Sequence, residues 1–374
     1  MQLFSDTHFF AIAVILPLLL ILHKAVRGRY SPYALFIFGV TALIFLGMYR
    51  NSLVAPLLLF CTSFLILQLV QKAHLKRSIG LILTLLPLVL LKTKVMTFFS
   101  MIGVSFITFR AIDTLLFADE AQSVDVIEYF TYLFFPMALL AGPMYRWRNF
   151  KLDLAAAYQR LSIEQLLEGW ETLVLGIFQK FGVAELINGE ILDKVAPNDY
   201  SHHGMLINAL GYTAYLYFDF AGYSNMALGV AAMLGFHLPV NFNNPIASRN
   251  PQDFWKRWHM SLSEWLRDVV FMPIYKSLQK VTFFTKHKLF AQNIGIFATL
   301  FFMGTWNGLQ KDYVISGVLF GTYSVGYNTM VNIGKSNESL RAVMDMRVPK
   351  LAGRIITITL AVIALYIFSG RSPI

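Results

Sequence analysis

The sequence predicts an all-α, polytopic integral membrane protein, and three observations predict it. Of the 374 residues, 56% are hydrophobic and only 14% charged, against about a quarter charged in soluble proteins. Apolar runs recur at roughly 9–23, 32–48, 53–71, 79–92, 96–117, 126–143, 168–188, 204–236, 289–305, 313–331 and 355–369. No polar stretch between them is long enough for a soluble domain, so residues 1–374 read as one membrane domain. A span needs about 20 residues, so short runs such as 79–92 do not cross simply, and about nine to eleven spans plus re-entrant or interfacial pieces are expected.

The first run, FFAIAVILPLLLILHKAV, lacks a basic region before it and a small-residue cleavage site after it. It reads as a retained helix and not as a removed signal peptide. Lys24, Arg27 and Arg29 follow this run, only Arg50 follows the second, and Lys72, Lys76 and Arg77 follow the third. The alternation puts the first and third loops in the cytoplasm and the N-terminus outside. The net charge of +10 fits this bias and an acidic cytosolic partner better than nucleic acid, for which no module is present. Cys61, the single cysteine, lies in LLLFCTSFLIL and reads as a small buried apolar residue. It excludes an intrachain disulfide and a cysteine-based metal site.

Three polar features interrupt the apolar surroundings. In GVSFITFRAID, Arg110 and Asp113 stand three apart and predict a local ion pair. In AGPMYRWRNF, Gly142 and Pro143 end a helix before a basic, aromatic turn at the membrane surface. In LYFDFAGYSNMALGVAAMLGF, Asp219 lies within an apolar run. An ionisable group at membrane depth is either functional or a partnered carboxylate holding two helices together.

The most polar and aromatic block is NPQDFWKRWHMSLSEWLRDVVFMP, residues 250–273. Asn250 is a helix cap, Pro251 suits the first turn, and Asp253 places negative charge where the helix dipole favours it. Asp253 and Arg257 share a face, with Lys256, Ser261, Glu264, Arg267 and Asp268 on or beside it; Trp255, His259, Leu262 and Leu266 fall on another. The expectation is an amphipathic helix over 250–268 that does not cross the bilayer, with His259 directed into the protein.

The stretch from Tyr217 to Pro273, containing RWH at 257–259, resembles the core signature of the membrane-bound O-acyltransferase family. VSFITFRAID, AGPMYRWRNF and IALYIFSG extend the resemblance in the same order, from about residue 96 to the end. It implies one domain of that family, a ring of helices around a funnel, in a bacterial plasma membrane. It implies an acyl group arriving from the cytoplasm on a thioester, with no metal and no bound cofactor. In the D-alanyl branch the donor is a phosphopantetheine thioester of a small acidic acyl carrier protein. The acceptor there is a cell-envelope polymer such as teichoic acid, and other membrane subunits of the pathway take part. The branch acting on alginate and cellulose transfers acetyl groups instead.

The family's RWH histidine maps onto His259. Its main catalytic histidine sits in a WHG motif, and here that place reads MGTWNGLQKDYVISGVLFG. Gly304, Trp306 and Gly308 match, but the histidine is Asn307, and no histidine follows His287. An asparagine amide donates a hydrogen bond to an oxyanion but cannot act as a general base near neutral pH. The resemblance therefore leaves three readings: an altered, inactive form; an enzyme whose base is His259, a tyrosine or a carboxylate; or a silent membrane partner that docks the carrier. Candidate site residues are His259 and Asn307 for chemistry, and Trp258, Trp306, Asp219 and Ser261 for substrate. Lys276, Lys280, Lys286 and Lys288 cluster in the next loop, either solvated there or steering an acidic carrier.

Overall fold

The computed structural model describes residues 33–50, 53–73, 75–92, 103–119, 123–139, 142–337, 339 and 346–373. The first apolar run and Lys24, Arg27 and Arg29 lie outside these residues. Among the described residues every regular element is helical. The chain divides into two compact units. One is Met1–Phe178 with Gly222–Pro239, the other Gln179–Ala221 with Val240–Ile374.

The first unit opens with α1 (Tyr33–Met48), α2 (Val54–Lys72) and α3 (Arg77–Lys92). α1 buries one stripe, Tyr33, Ile37, Thr41 and Phe45, and leaves Leu43 72% exposed. α2 buries Pro56, Leu59, Ser63 and Leu67. Cys61, expected to be buried, is off that stripe and exposed. α2 is also one of two described helices long and apolar enough to cross a membrane, the other covering Leu351–Phe368.

α4 (Val104–Phe117) is the core helix of this unit, buried at every position from Ser105 to Leu115. The ion pair expected between Arg110 and Asp113 is not what forms. Arg110 sends Nη1 to the carbonyls of Tyr132 and Leu133, at 3.0 and 2.9 Å. Asp113 accepts from Trp147 N at 2.7 Å and pairs with Arg146 Nε at 2.6 Å. The reason is α5 (Val126–Leu133), which stops ten residues before the end of its apolar run. Pro136 starts a short 3-10 turn there and cannot continue the helix. The last carbonyls of α5 are orphaned, and the buried guanidinium serves them. Asp113 is thereby left to tie down the start of α6 (Trp147–Arg160).

α7 (Ile163–Ile177) packs on the later part of α8 (His202–Met233) through glycine. A Cβ on Gly176 would stand 2.5 Å from Met226 N, and one on Gly229 2.5 Å from Gly169 O. Such an approach of backbones is how helices associate where apolar side chains find equal solvent in lipid.

The second unit holds the wide turn Phe178–Ala184 from Gln179 onward, the wide turn Asn188–Leu192, the first part of α8, and the later helices. These are α9 (Pro251–Trp255), α10 (Met260–Leu266), α11 (Met272–Leu278), α12 (Thr282–Lys286), α13 (Lys288–Thr305), α14 (Lys311–Ser336) and α15 (Arg347–Phe368). α13 and α14 form a hairpin in close contact: a Cβ on Gly304 would stand 2.5 Å from Gly317 Cα. An amide ladder fastens α9 to it, with Asn328 Nδ2 donating to Asn293 Oδ1 at 2.7 Å and Gln252 Nε2 to Asn328 Oδ1 at 3.3 Å.

Candidate functional site

The signature block starts as its residues dictate. Asn250 Oδ1 accepts from Asp253 N at 2.8 Å, Pro251 opens α9, and Asp253 pairs with Arg257 at 3.1 Å. It does not continue as the single helix expected over 250–268. α9 ends at Trp255, His259 takes a left-handed conformation with φ of 47°, and α10 begins at Met260. The cause is the neighbouring segment 241–243. Met260 N donates to Asn241 O at 2.9 Å and Asn243 N to Arg257 O at 3.0 Å. These two bonds claim backbone groups that an unbroken helix would use, and they hold a conformation costing about 1–3 kcal/mol in a non-glycine residue.

The break aims His259 inward. It is 7% exposed, and its ring meets the Phe220 ring edge-on at 4.7 Å between centroids. Its Nδ1 stands 3.4 Å from Asn241 Oδ1, which also accepts from Ser261 Oγ at 2.5 Å. With Nδ1 as the donor, Nε2 keeps its lone pair. Trp258 is buried, stacked on Phe254 and set edge-on to Phe242 at 5.2 Å. Asp219 immediately precedes Phe220 and pairs with Lys180. Asn241, Phe220 and Lys180 were not singled out in the sequence. Lys180 lies on the stretch FQKFGVA, and a cation within an apolar run was the signal that could have found it.

Trp306, Asn307 and Gly308 form the turn that closes the α13–α14 hairpin, all half-buried in the same unit. The tight crossing at Gly304 lies two residues before Trp306, and Gly308 lies against the Tyr313 ring. Lys276, Lys280, Lys286 and Lys288 are all exposed, from α11 to the start of α13. Lys288 and the 306–308 turn stand at opposite ends of α13.

Outside the long helices, burial pushes the His259 imidazole down to about 3. It is therefore neutral across physiological pH, and a weak base. The sign for stability follows. Below about pH 6.5 the unfolded chain takes up a proton that the native chain refuses, so stability is full above this value and declines toward pH 3. At about pH 5 the loss is about 2 kcal/mol. Thermal unfolding at about pH 7.5 and pH 5 should show that His259→Gln removes this part of the decline. An identical decline in both proteins would mean that the imidazole is not held neutral by burial.

The membrane-bound O-acyltransferase family model matches residues 43–331. Teichoic acid D-alanyltransferase of Bacillus subtilis is 34% identical over 279 residues, 73% of this chain and 69% of that protein. The protein of the same name from Streptococcus thermophilus is 29% identical over 77% of this chain and 74% of its own. A probable alginate O-acetylase of Pseudomonas aeruginosa is 31% identical over 59% of this chain and 41% of its own. The protein is thus a membrane-bound O-acyltransferase by class. The chain belongs to the membrane-bound O-acyltransferase family.

Proposed function

We propose that this protein moves a D-alanyl group from the phosphopantetheine thioester of a small acidic carrier protein to a hydroxyl of an envelope polymer such as teichoic acid. The reach of the similarity carries this reading: the two D-alanyltransferases match 73% and 77% of the chain, the alginate O-acetylase 59%. The acetylase likeness favours a second reading, acetyl transfer to an exopolysaccharide. Asn307 favours a third, a silent membrane partner that docks the carrier.

In the leading reading the acceptor O–H adds to the thioester carbonyl carbon. The new C–O bond forms, the C–S bond breaks, and the hydroxyl proton ends on the departing sulfur. His259, oriented through Asn241, receives that proton at Nε2 on the way. Its low basicity makes it a poor substitute for the histidine replaced at 307. Asn307 donates its amide N–H to the developing oxyanion. Trp258, Trp306 and Ser261 line the substrate, and Asp219 acts through Lys180. His259 and Asn307 converge on the constriction of a funnel ringed by about nine to eleven spans. The two units act as one domain of a multi-pass bacterial plasma-membrane protein, with the N-terminus outside and no metal or bound cofactor.

Reconstituted protein offered the carrier loaded with D-alanine or with acetate decides between the transfer readings. D-alanyl product is expected, and a preference for acetate would replace the first reading by the second. Lys280→Glu with Lys286→Glu should weaken carrier binding several-fold at low salt, with the difference shrinking at about 1 M salt, where charges are screened within about 3 Å. Unchanged low-salt affinity would remove the lysines from docking.

A further inference from the structure

The first part of α8 carries Tyr212, Tyr215 and Asp219 at spacings of three and four, which sets them in one row along the helix. Every residue from 212 to 220 is half-buried, over more than two turns. Such a stretch is neither a packed core face nor an open outer one. Asp219 adjoins Phe220, whose ring meets His259. At the other end Asn208 stands four residues before Tyr212, one turn further along the same row.

Two cations flank the row. Lys180, only 8% exposed, is held by Asp219. Arg371 lies just beyond α15. Its Nη1 donates to Asn208 Oδ1 at 3.0 Å. Asn208 is fully buried and anchored in turn, its amide nitrogen donating to Ala196 O at 3.0 Å. The guanidinium is thus fixed by one of its five N–H donors, and the rest of the fork has no protein partner among the described residues.

We propose that Arg371 and Lys180 are positioning residues that bind the acceptor as an anion and lead its hydroxyl along the Tyr212–Tyr215 row to the site. The inference rests on the acyl-transfer reading and adds which residues hold the acceptor. A fixed guanidinium fork matches a phosphodiester or a carboxylate in two parallel hydrogen bonds, and a lysine adds a point charge. Tyrosine rings and hydroxyls suit the carbon skeleton and free hydroxyls of a polyol or sugar. A neutral polymer would leave both cations without a new partner.

The test measures binding and turnover separately. Full-length protein in nanodiscs is titrated with a glycerol-phosphate hexamer, a uronate hexamer and neutral hexaethylene glycol. An anionic hexamer should bind, the neutral one should not, and the tighter of the two anions identifies phosphodiester or carboxylate as the acceptor's charge. Charge-assisted hydrogen bonds at this site imply that Arg371→Gln weakens the anion by about 10- to 100-fold. Arg371→Lys should recover part of this, and Lys180→Met should weaken the anion as well. In acyl transfer the same variants should raise KM for the anionic acceptor far more than they lower kcat. Equal binding of charged and neutral hexamers, or Arg371→Gln binding the anion as the unaltered protein does, would overturn the inference. Anion binding that responds to Arg371→Gln without any donor turnover would instead retain the anion site and remove the acyl-transfer reading.

Discussion

Asn307→His is expected to raise acyl transfer by about 10²–10⁴-fold, the range typical of a positioned general base. Asn307 lies between Trp306 and Gly308 in the turn that closes the α13–α14 hairpin, and in the proposed reading an imidazole placed there supplies the base. The alternative base, His259, has its pKa pushed down to about 3, far below the value near 7 that serves proton transfer at neutral pH. Asn307→Ala should cost less than the histidine gains, because only an oxyanion hydrogen bond is lost. His259→Ala should lower the activity of the Asn307→His protein, since Asn241 and Ser261 lose the group they orient. Single-turnover transfer from a D-alanyl carrier thioester measures all four proteins. Full activity in the unaltered protein together with loss in Asn307→His would show that the family mechanism does not carry over.

Gly304→Val should destabilise the protein by more than about 3 kcal/mol and abolish transfer, even in the Asn307→His background. Overpacking costs about 1–3 kcal/mol where neighbours can shift, and more where they cannot. At Gly304 the atoms met are backbone: Gly317 Cα at 2.5 Å, Gly317 N at 2.7 Å and Tyr313 O at 3.0 Å from the added Cβ. No rotamer relieves that contact, so α13 and α14 must part, and the turn carrying Asn307 moves with them. Gly326→Ala is the control on α14, since a Cβ there meets nothing within 4 Å. Replacing a helical glycine with alanine should then stabilise by up to about 1 kcal/mol. Unfolding of both variants in the same detergent checks the contrast. Equal, small effects would mean that the hairpin tolerates separation.

Much of the helical layout was legible because hydrophobicity and length are local properties. The runs at 32–48, 53–71, 289–305 and 313–331 correspond to α1, α2, α13 and α14 within a few residues at each end. The Asn250 cap and the Asp253–Arg257 pair were legible for the same reason, since each joins residues three or four apart. Cys61 was misread because an apolar run does not say which stripe faces protein. α2 buries the stripe of Leu59 and Ser63, between which Cys61 points elsewhere.

By itself the sequence determined the class of protein, the family to which it belongs and the positions of most described helices. These depend on composition, on periodicity and on a long motif, all read without knowing what lies opposite. Only the tertiary structure decided the partners. It turned Arg110 away from Asp113 to the carbonyls orphaned at the end of α5, and gave Asp113 to Arg146. It broke the signature helix at His259 by pairing Arg257 with Asn243 and Met260 with Asn241, 14 and 19 positions earlier in the chain. It set Lys180 against Asp219, 39 positions apart. A buried polar group must be satisfied, and the low dielectric around it makes an unmet partner costly. Which group satisfies it is settled by what the fold brings within about 3 Å, and spacing along the chain does not contain that distance.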